Sequence, residues 1–238
     1  MMADTHNIFL PGGFKQSRIL KSKYMIADKS ILVIGSGSEK IALKMAEAGA
    51  AFISLIVNDY ESLISSRFVL PNQNKVSAKL MDYDNTDFND NEFDLVYAQA
   101  SISTKNRNKI IKEIKRILKP GGTFCTGEIT AFTKKYPPFV RDIFESSDVS
   151  PLLHDSCENY FIERKFEIIY SEDLSSSLKN FYETVKQSLK DVINELSEKE
   201  KSYYKKLLNK ISHESNAYLK LGADRYIGFK MLILKKSE

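Results

Sequence analysis

The chain has 238 residues, with 35 Lys and Arg against 31 Asp and Glu, and a formal net charge of +4. Hydrophobic residues make up 42% and charged residues 28%, a globular balance that excludes a disordered chain. No apolar run reaches the ~18 residues of a membrane span, and so small a charge excess gives no nucleic-acid footprint. The N-terminus, MMADTHNIFLPGGF, lacks a basic region followed by an apolar stretch, so no secretory leader and a cytoplasmic location are expected. The two cysteines, Cys125 and Cys157, and three scattered histidines do not supply the four-ligand set of a structural metal, so no metal is expected. A disulfide would be out of place in the cytosol.

In chain order, residues 1–13 read as an arm ending in Pro11-Gly12-Gly13. Residues 14–27 then carry Phe14, Ile19, Leu20 and Tyr24 at helical spacing. Ile31 to Ile34 is a continuous apolar run, the pattern of a strand buried on both faces. A helix follows over 39–48, and strands over 52–57, to Leu80-Met81-Asp82, and over 93–97. A helix over 105–118 leads to the Pro120-Gly121-Gly122 turn and a fifth strand. Strand and helix alternate through the first ~130 residues, which predicts a doubly wound, mostly parallel α/β sheet with helices on both faces.

Residues 137–164 hold two short helical pieces. FEIIYSED (166–173) reads as a sixth strand and YIGFKMLIL (226–234) as a seventh. Between them, 177–220 read as two long amphipathic helices, with Phe181, Val185, Leu189, Val192, Ile193 and Leu196 on one face. They either cover the sheet or a neighbouring subunit, which allows a homodimer, or form a lid over a pocket. The domain division is an arm and helix over 1–29 and one domain over 30–238, with a helical cap at about 175–222.

Ligands of such sheets bind beyond the carboxyl ends of the strands. Gly35-Ser36-Gly37-Ser38, Asn58-Asp59-Tyr60, Asp82-Tyr83 and Ala98-Gln99-Ala100 all follow strand ends. The glycine turn lets a ligand approach the backbone, and the helix it opens offers free N–H groups to an anion. Ser38 suits an N-cap and Glu39 a first helical turn. Asn58 and Asp59 stay open between an Asx turn and ligand contact. Lys40 stands where a dinucleotide fingerprint wants its third glycine.

The segments ILVIGSGSEKIALKMAEAGA (31–50), KLMDYDNTDFNDNEFDLVYAQ (79–99) and IIKEIKRILKPGGTFCTGE (110–128), in that order, resemble the class I S-adenosylmethionine-dependent methyltransferases. The resemblance implies a seven-stranded Rossmann-like domain and S-adenosylmethionine as cofactor. It implies a site made of Gly35, Ser36, Gly37, Asn58, Asp59, Asp82, Tyr83 and Gln99. Asn58 or Asp59 would take the ribose hydroxyls, with Asp59 favoured because a carboxylate accepts both hydrogen bonds; Asp82 would take the adenine amino group, and Tyr83 would pack on the adenine. Two positions depart from the family run: Val33 stands for its acid and Glu39 for its third glycine. The amino-methyltransferase signature N/D-P-P-Y is replaced by Ala98-Gln99-Ala100-Ser101, so a small-molecule acceptor is implied rather than a nucleic acid. His154, Tyr24, Tyr160 and Glu128 are candidate acceptor-facing groups, and no catalytic residue is singled out, since methyl transfer needs alignment more than a base. The alternatives are a degenerate member acting as a binding module, for which Val33 and Glu39 speak, and a nicotinamide oxidoreductase.

Overall fold

The computed structural model describes residues 9–70 and 75–237; the first eight residues of the expected arm lie outside the described residues. Residues 9–13 form turns that lead into α1 (Lys15–Lys23). That helix ends four residues before the expected limit, because Tyr24 is already extended. Next come β1 (Ser30–Ile34), α2 (Glu39–Glu47), β2 (Phe52–Val57), α3 (Tyr60–Val69), β3 (Val76–Leu80) and β4 (Phe93–Gln99). The chain continues through α4 (Arg107–Ile117), β5 (Leu118–Ala131), α5 (Pro138–Ser146), β6 (Leu152–Leu153), α6 (Cys157–Ile162) and β7 (Phe166–Asp173). It closes with α7 (Ser177–Glu195), α8 (Glu198–Tyr203), α9 (Lys205–Lys220) and β8 (Ile227–Lys236).

The sheet order is β3-β2-β1-β4-β5-β8-β7, with β6 paired to β5 off that path. The expected seven strands form the path, and the two-residue β6 is the addition. All pairings are parallel except those of β8, which runs antiparallel to β5 and β7. The order reverses direction between β1 and β4, so the switch point lies at their carboxyl ends. The Pro-Gly-Gly segment is a bulge near the start of β5 rather than a turn before it: Phe93 pairs with Leu118 and Leu95 already with Thr123.

The alternation of strand side chains builds two cores. Ile31, Val33, Ile53 and Leu55 pack with Leu20 of α1, Ile41 and Met45 of α2, Ile143 of α5 and Tyr218 of α9. Leu32, Ile34, Val96 and Phe124 pack with Ile110, Ile114 and Ile117 of α4 and Phe161 of α6. The segment 177–220 holds three helices, not two. Leu196 is extended, and Ser197 starts a new helix with a capping box: its hydroxyl accepts from the Glu200 N–H, and the Glu200 carboxylate takes the Ser197 N–H. Because β7 runs parallel to β5, α7 leaves the sheet, and α9 returns to it, at the carboxyl end of the strands.

Candidate cofactor site at the carboxyl ends of the strands

Gly35 ends β1 with φ +113, in the region that side chains disfavour. A Cβ there would lie 2.5 Å from the Cβ of Ser101, which follows β4. The turn after β1 therefore presses against the loop after β4, and Ser101 Oγ donates to the Ile34 carbonyl at 2.6 Å. Ser36 and Gly37 are exposed beside it. Ser38 holds the N-cap position, but its hydroxyl makes no capping bond. It is buried and has no partner among the described residues. Glu39 takes over the turn instead: its Oε1 accepts from the Gly37 N–H at 3.3 Å and from Ser66 Oγ of α3 at 2.6 Å.

Beyond β2, Asp59 caps α3. Its carboxylate accepts from the Ser62 N–H and from Ser62 Oγ, each at 2.7 Å, and those bonds hold its pKa below the ordinary value. Each oxygen thus accepts one bond in an Asx cap, which leaves each a further lone pair. Asn58 instead faces Tyr83, whose hydroxyl donates to Asn58 Oδ1 at 3.4 Å. Burial, and then the nearby Asp59 charge, push the Tyr83 phenol up. The Asp82 side chain is exposed and makes no hydrogen bond or ion pair among the described residues. Ser36, Gly37, Glu39, Asp59, Glu61 and Ser62 line a cleft of about 580 Å³.

The structure thus brings Gly35, Ser36, Gly37, Asn58, Asp59, Asp82 and Tyr83 to the carboxyl ends of three adjacent strands. Gln99 is different. It is buried, its Nε2 donates to the carbonyls of Pro11 at 2.6 Å and Gly13 at 2.8 Å, and its Oε1 accepts from the Tyr97 hydroxyl. It pins the N-terminal segment over the site, where Leu10 comes against Gly37.

The candidate acceptor-facing groups separate. Tyr24 lies at the opposite end of the sheet, bonded to the Asp94 carbonyl at 3.3 Å, with burial pushing its pKa up to about 12. Glu128 is fully buried and paired with Arg107 Nε at 3.1 Å and Ser103 Oγ at 2.7 Å, so it is a structural anchor for the loop after β4. Tyr160 lies under the Arg164 guanidinium, 3.6 Å from its ring centroid. His154 is oriented after all: Nδ1 meets Thr130 Oγ1 at 2.8 Å and Nε2 lies 3.6 Å from Asp173. Burial holds its pKa below the ordinary value.

A further pair escaped the sequence reading. Glu113 of α4 accepts from the Thr86 N–H at 2.9 Å and from the Thr86 hydroxyl at 2.5 Å, and Arg116 binds the same carboxylate at 2.6 Å. Thr86 belongs to the loop that carries Asp82 and Tyr83. Burial raises the Glu113 pKa, but the bonds from Arg116 and Thr86 outweigh it and hold the carboxyl at about 2.

The donor set fits an adenosyl ligand. An unpaired Asp82 carboxylate accepts from an amine, Asn58 offers a carbonyl oxygen to a diol, and the half-buried Tyr83 ring offers a face. The buried orphan hydroxyl of Ser38 awaits a partner in the glycine turn.

Residues 32–126 match the family model described as a methyltransferase domain. The chain is 27% identical over 206 residues to the phosphoethanolamine N-methyltransferase of Plasmodium falciparum, covering 82% of this chain and 69% of that protein. It is 32% identical over 162 residues to the sterol 24-C-methyltransferase of Yarrowia lipolytica, covering 61% of this chain but only 41% of that one. A Haemonchus contortus phosphoethanolamine N-methyltransferase 2, solved with phosphomonomethylethanolamine and S-adenosylhomocysteine, superposes with a TM-score of 0.79 at 18% identity, over 98% of this chain and 55% of that one. At that identity the superposition speaks for the fold. Among the described residues no helix is long and apolar enough to cross a membrane. The fold, the strand-end constellation and the match of residues 32–126 to a methyltransferase domain agree, and the chain is similar to methyltransferases that act on small molecules.

Proposed function

We propose that this chain transfers a methyl group from S-adenosylmethionine to a small amine that carries an anionic group, such as a phosphate. The observation that carries the cofactor half is the convergence of the Gly35-Ser36-Gly37 turn, Asn58, and Asp82 with Tyr83 on adjacent strand ends. The turn receives the methionine end, Asn58 the ribose, Asp82 the adenine amino group, and Tyr83 packs on the base. Asp59 supports this by capping α3, and Gln99 by holding residues 11–13 over the site. The bound cofactor supplies a sulfonium methyl. The chain's own residues align the acceptor with it and exclude water, which is most of what such a displacement needs.

The acceptor half rests on two observations. Similarity to a phosphoethanolamine methyltransferase runs over 82% of the chain. A cleft of about 300 Å³ between the N-terminal segment and α7 is lined by Gly13, Lys15, Arg18, Asn180 and Phe181. Arg18 is exposed there and has no ion pair among the described residues. On this reading residues 9–29 close one side of the site, the methyltransferase domain begins at residue 30, and the cap at about 175–222 acts as the lid. A cytoplasmic enzyme without nucleic-acid partners is the corresponding setting, and α7 with α9 is the face a homodimer would use.

The test is release of S-adenosylhomocysteine with phosphate-bearing amines, uncharged amines and sterols as acceptors. Turnover confined to the phosphate-bearing amines, with KM raised by Arg18→Ala, supports the reading; turnover with sterols alone refutes it. A second reading, a binding module without catalysis, is favoured by Val33 and Glu39. It requires a folded chain that yields no product with any acceptor.

A further inference from the structure

The helix α3 is turned the wrong way for one that only covers a sheet. Of its ten residues Leu63 and Ser66 are buried, while Tyr60 is 72% exposed, Ile64 55% and Phe68 83%. A helix on a sheet ordinarily keeps its apolar stripe inward. Here the large apolar residues stand at i, i+4 and i+8, one row on the outer face. The row is about 12 Å long at 1.5 Å per residue. Below it, α3 packs on β2 and β3, at the edge of the sheet opposite β7.

The row and its flanks are symmetric about Ile64. Tyr60 and Phe68 lie four residues to either side of it. Glu61 and Arg67 lie three residues to either side, one on each flank, since about 100° per residue places them roughly 60° from the middle of the row in opposite senses. Both are exposed, and neither side chain has a hydrogen bond or ion pair among the described residues. Two copies of α3 packed antiparallel about a two-fold axis at Ile64 therefore complement each other. Ile64 meets Ile64, each Tyr60 meets a Phe68, and Glu61 of one copy comes level with Arg67 of the other across the seam. A parallel pair would set Glu61 against Glu61 and Arg67 against Arg67, so charge as well as shape selects the antiparallel arrangement.

We propose that the outer face of α3 is a self-association surface. Its partner is a second copy of this chain, bound antiparallel through Tyr60, Ile64 and Phe68 with Glu61–Arg67 pairs at the rim. The surface is separate from the face of α7 and α9 and does not depend on what the strand-end site binds. Glu61 and Val69 also line the cleft beside Gly37, so the second copy borders that cleft. One row on a short helix falls below the ~800 Å² per partner of a standard interface. The dimer is therefore a weak one, with a dissociation constant on the order of tens of micromolar.

The experiment is sedimentation velocity of the full chain at concentrations up to about tenfold above that constant. It compares wild type, Ile64→Asp, the single reversals Glu61→Arg and Arg67→Glu, and the double reversal. A melting temperature close to that of wild type verifies each fold, and Phe68→Ser, on the same row, stands in for Ile64→Asp if that variant melts early. Wild type is expected to shift towards twice its mass as the concentration rises. Ile64→Asp sets two carboxylates together on the axis and weakens the dimer about tenfold or more. Each single reversal weakens it about threefold or more, and the double reversal restores it to within about twofold of wild type. A folded wild type that stays monomeric at every concentration overturns the proposal, and so does one that instead sediments with phosphatidylglycerol vesicles through the same row. A dimer that persists in Ile64→Asp belongs to another face, such as α7 with α9, and overturns it too. A double reversal that stays as weak as the single ones does the same.

Discussion

Replacing Glu113 with alanine removes the acceptor of a backbone N–H, a hydroxyl and a guanidinium at once. The Thr86 N–H is buried and keeps no other acceptor for its hydrogen. An orphaned buried donor costs about 1–3 kcal/mol, and loss of a charge-assisted bond about 1.5–3. Arg116 is one-third exposed and keeps Asp90 at 2.7 Å, so its share is screened by solvent. The sum is about 3 kcal/mol. The pKa agrees: from an ordinary 4.5 to about 2 corresponds to about 3 kcal/mol at 1.36 kcal/mol per unit. Since the folded-state value is the lower one, this stabilisation is complete above about pH 4.5 and disappears as the pH falls towards 2. Urea unfolding of wild type and Glu113→Ala at several pH values reads it out. A difference of about 3 kcal/mol at pH 7 that shrinks below pH 4.5 is expected. A difference under about 1 kcal/mol at pH 7, or one constant down to pH 3, would refute the reasoning. Because Thr86 fixes the loop of Asp82 and Tyr83, adenosine affinity should fall in the same variant.

Two other substitutions probe the site's frame. Gly35→Ala combines a disfavoured φ with a Cβ 2.5 Å from that of Ser101; a loss of about 2 kcal/mol or more in unfolding free energy is expected, and a thermally neutral variant would contradict the close approach. Arg107→Ala leaves Glu128 buried without its cation, at about 3–5 kcal/mol. Chemical denaturation measures it, and a cost below about 1 kcal/mol would mean the pair does not hold the loop after β4.

The central strands were legible because burial on both faces writes continuous apolar runs, and 52–57 keeps its read limits as β2; β7, at the sheet's edge and largely unburied, also keeps the limits 166–173. The glycine turn and the strand ends were legible for the same reason, since a strand's last apolar residue marks where the site begins. The helix α3 was not read, because it buries only Leu63 and Ser66 while Ile64 and Phe68 face solvent, leaving no stripe. The break between α7 and α8 was signalled by Ser197 and Glu200, three residues apart, a capping-box spacing hidden inside a charged run. Roles that depend on distant partners were not legible. Asp59 could be a cap or a ligand, and only the fold puts Ser62 on both its oxygens. Glu128 looked acceptor-facing until Arg107 and Ser103 closed around it. Glu113 gave no sign of Thr86, 27 residues earlier. Long-range polar pairing depends on the fold and leaves no periodic mark.

The most direct measurement is calorimetric titration of S-adenosylmethionine into the wild-type chain and into Asp82→Ala. The Asp82 side chain is exposed and unpartnered among the described residues, so the substitution should leave the melting temperature unchanged. Saturable binding to wild type, weakened about tenfold or more in Asp82→Ala at equal stability, is the expected result. A folded wild-type chain that does not bind, or one whose affinity is indifferent to Asp82, would contradict a cofactor site at these strand ends.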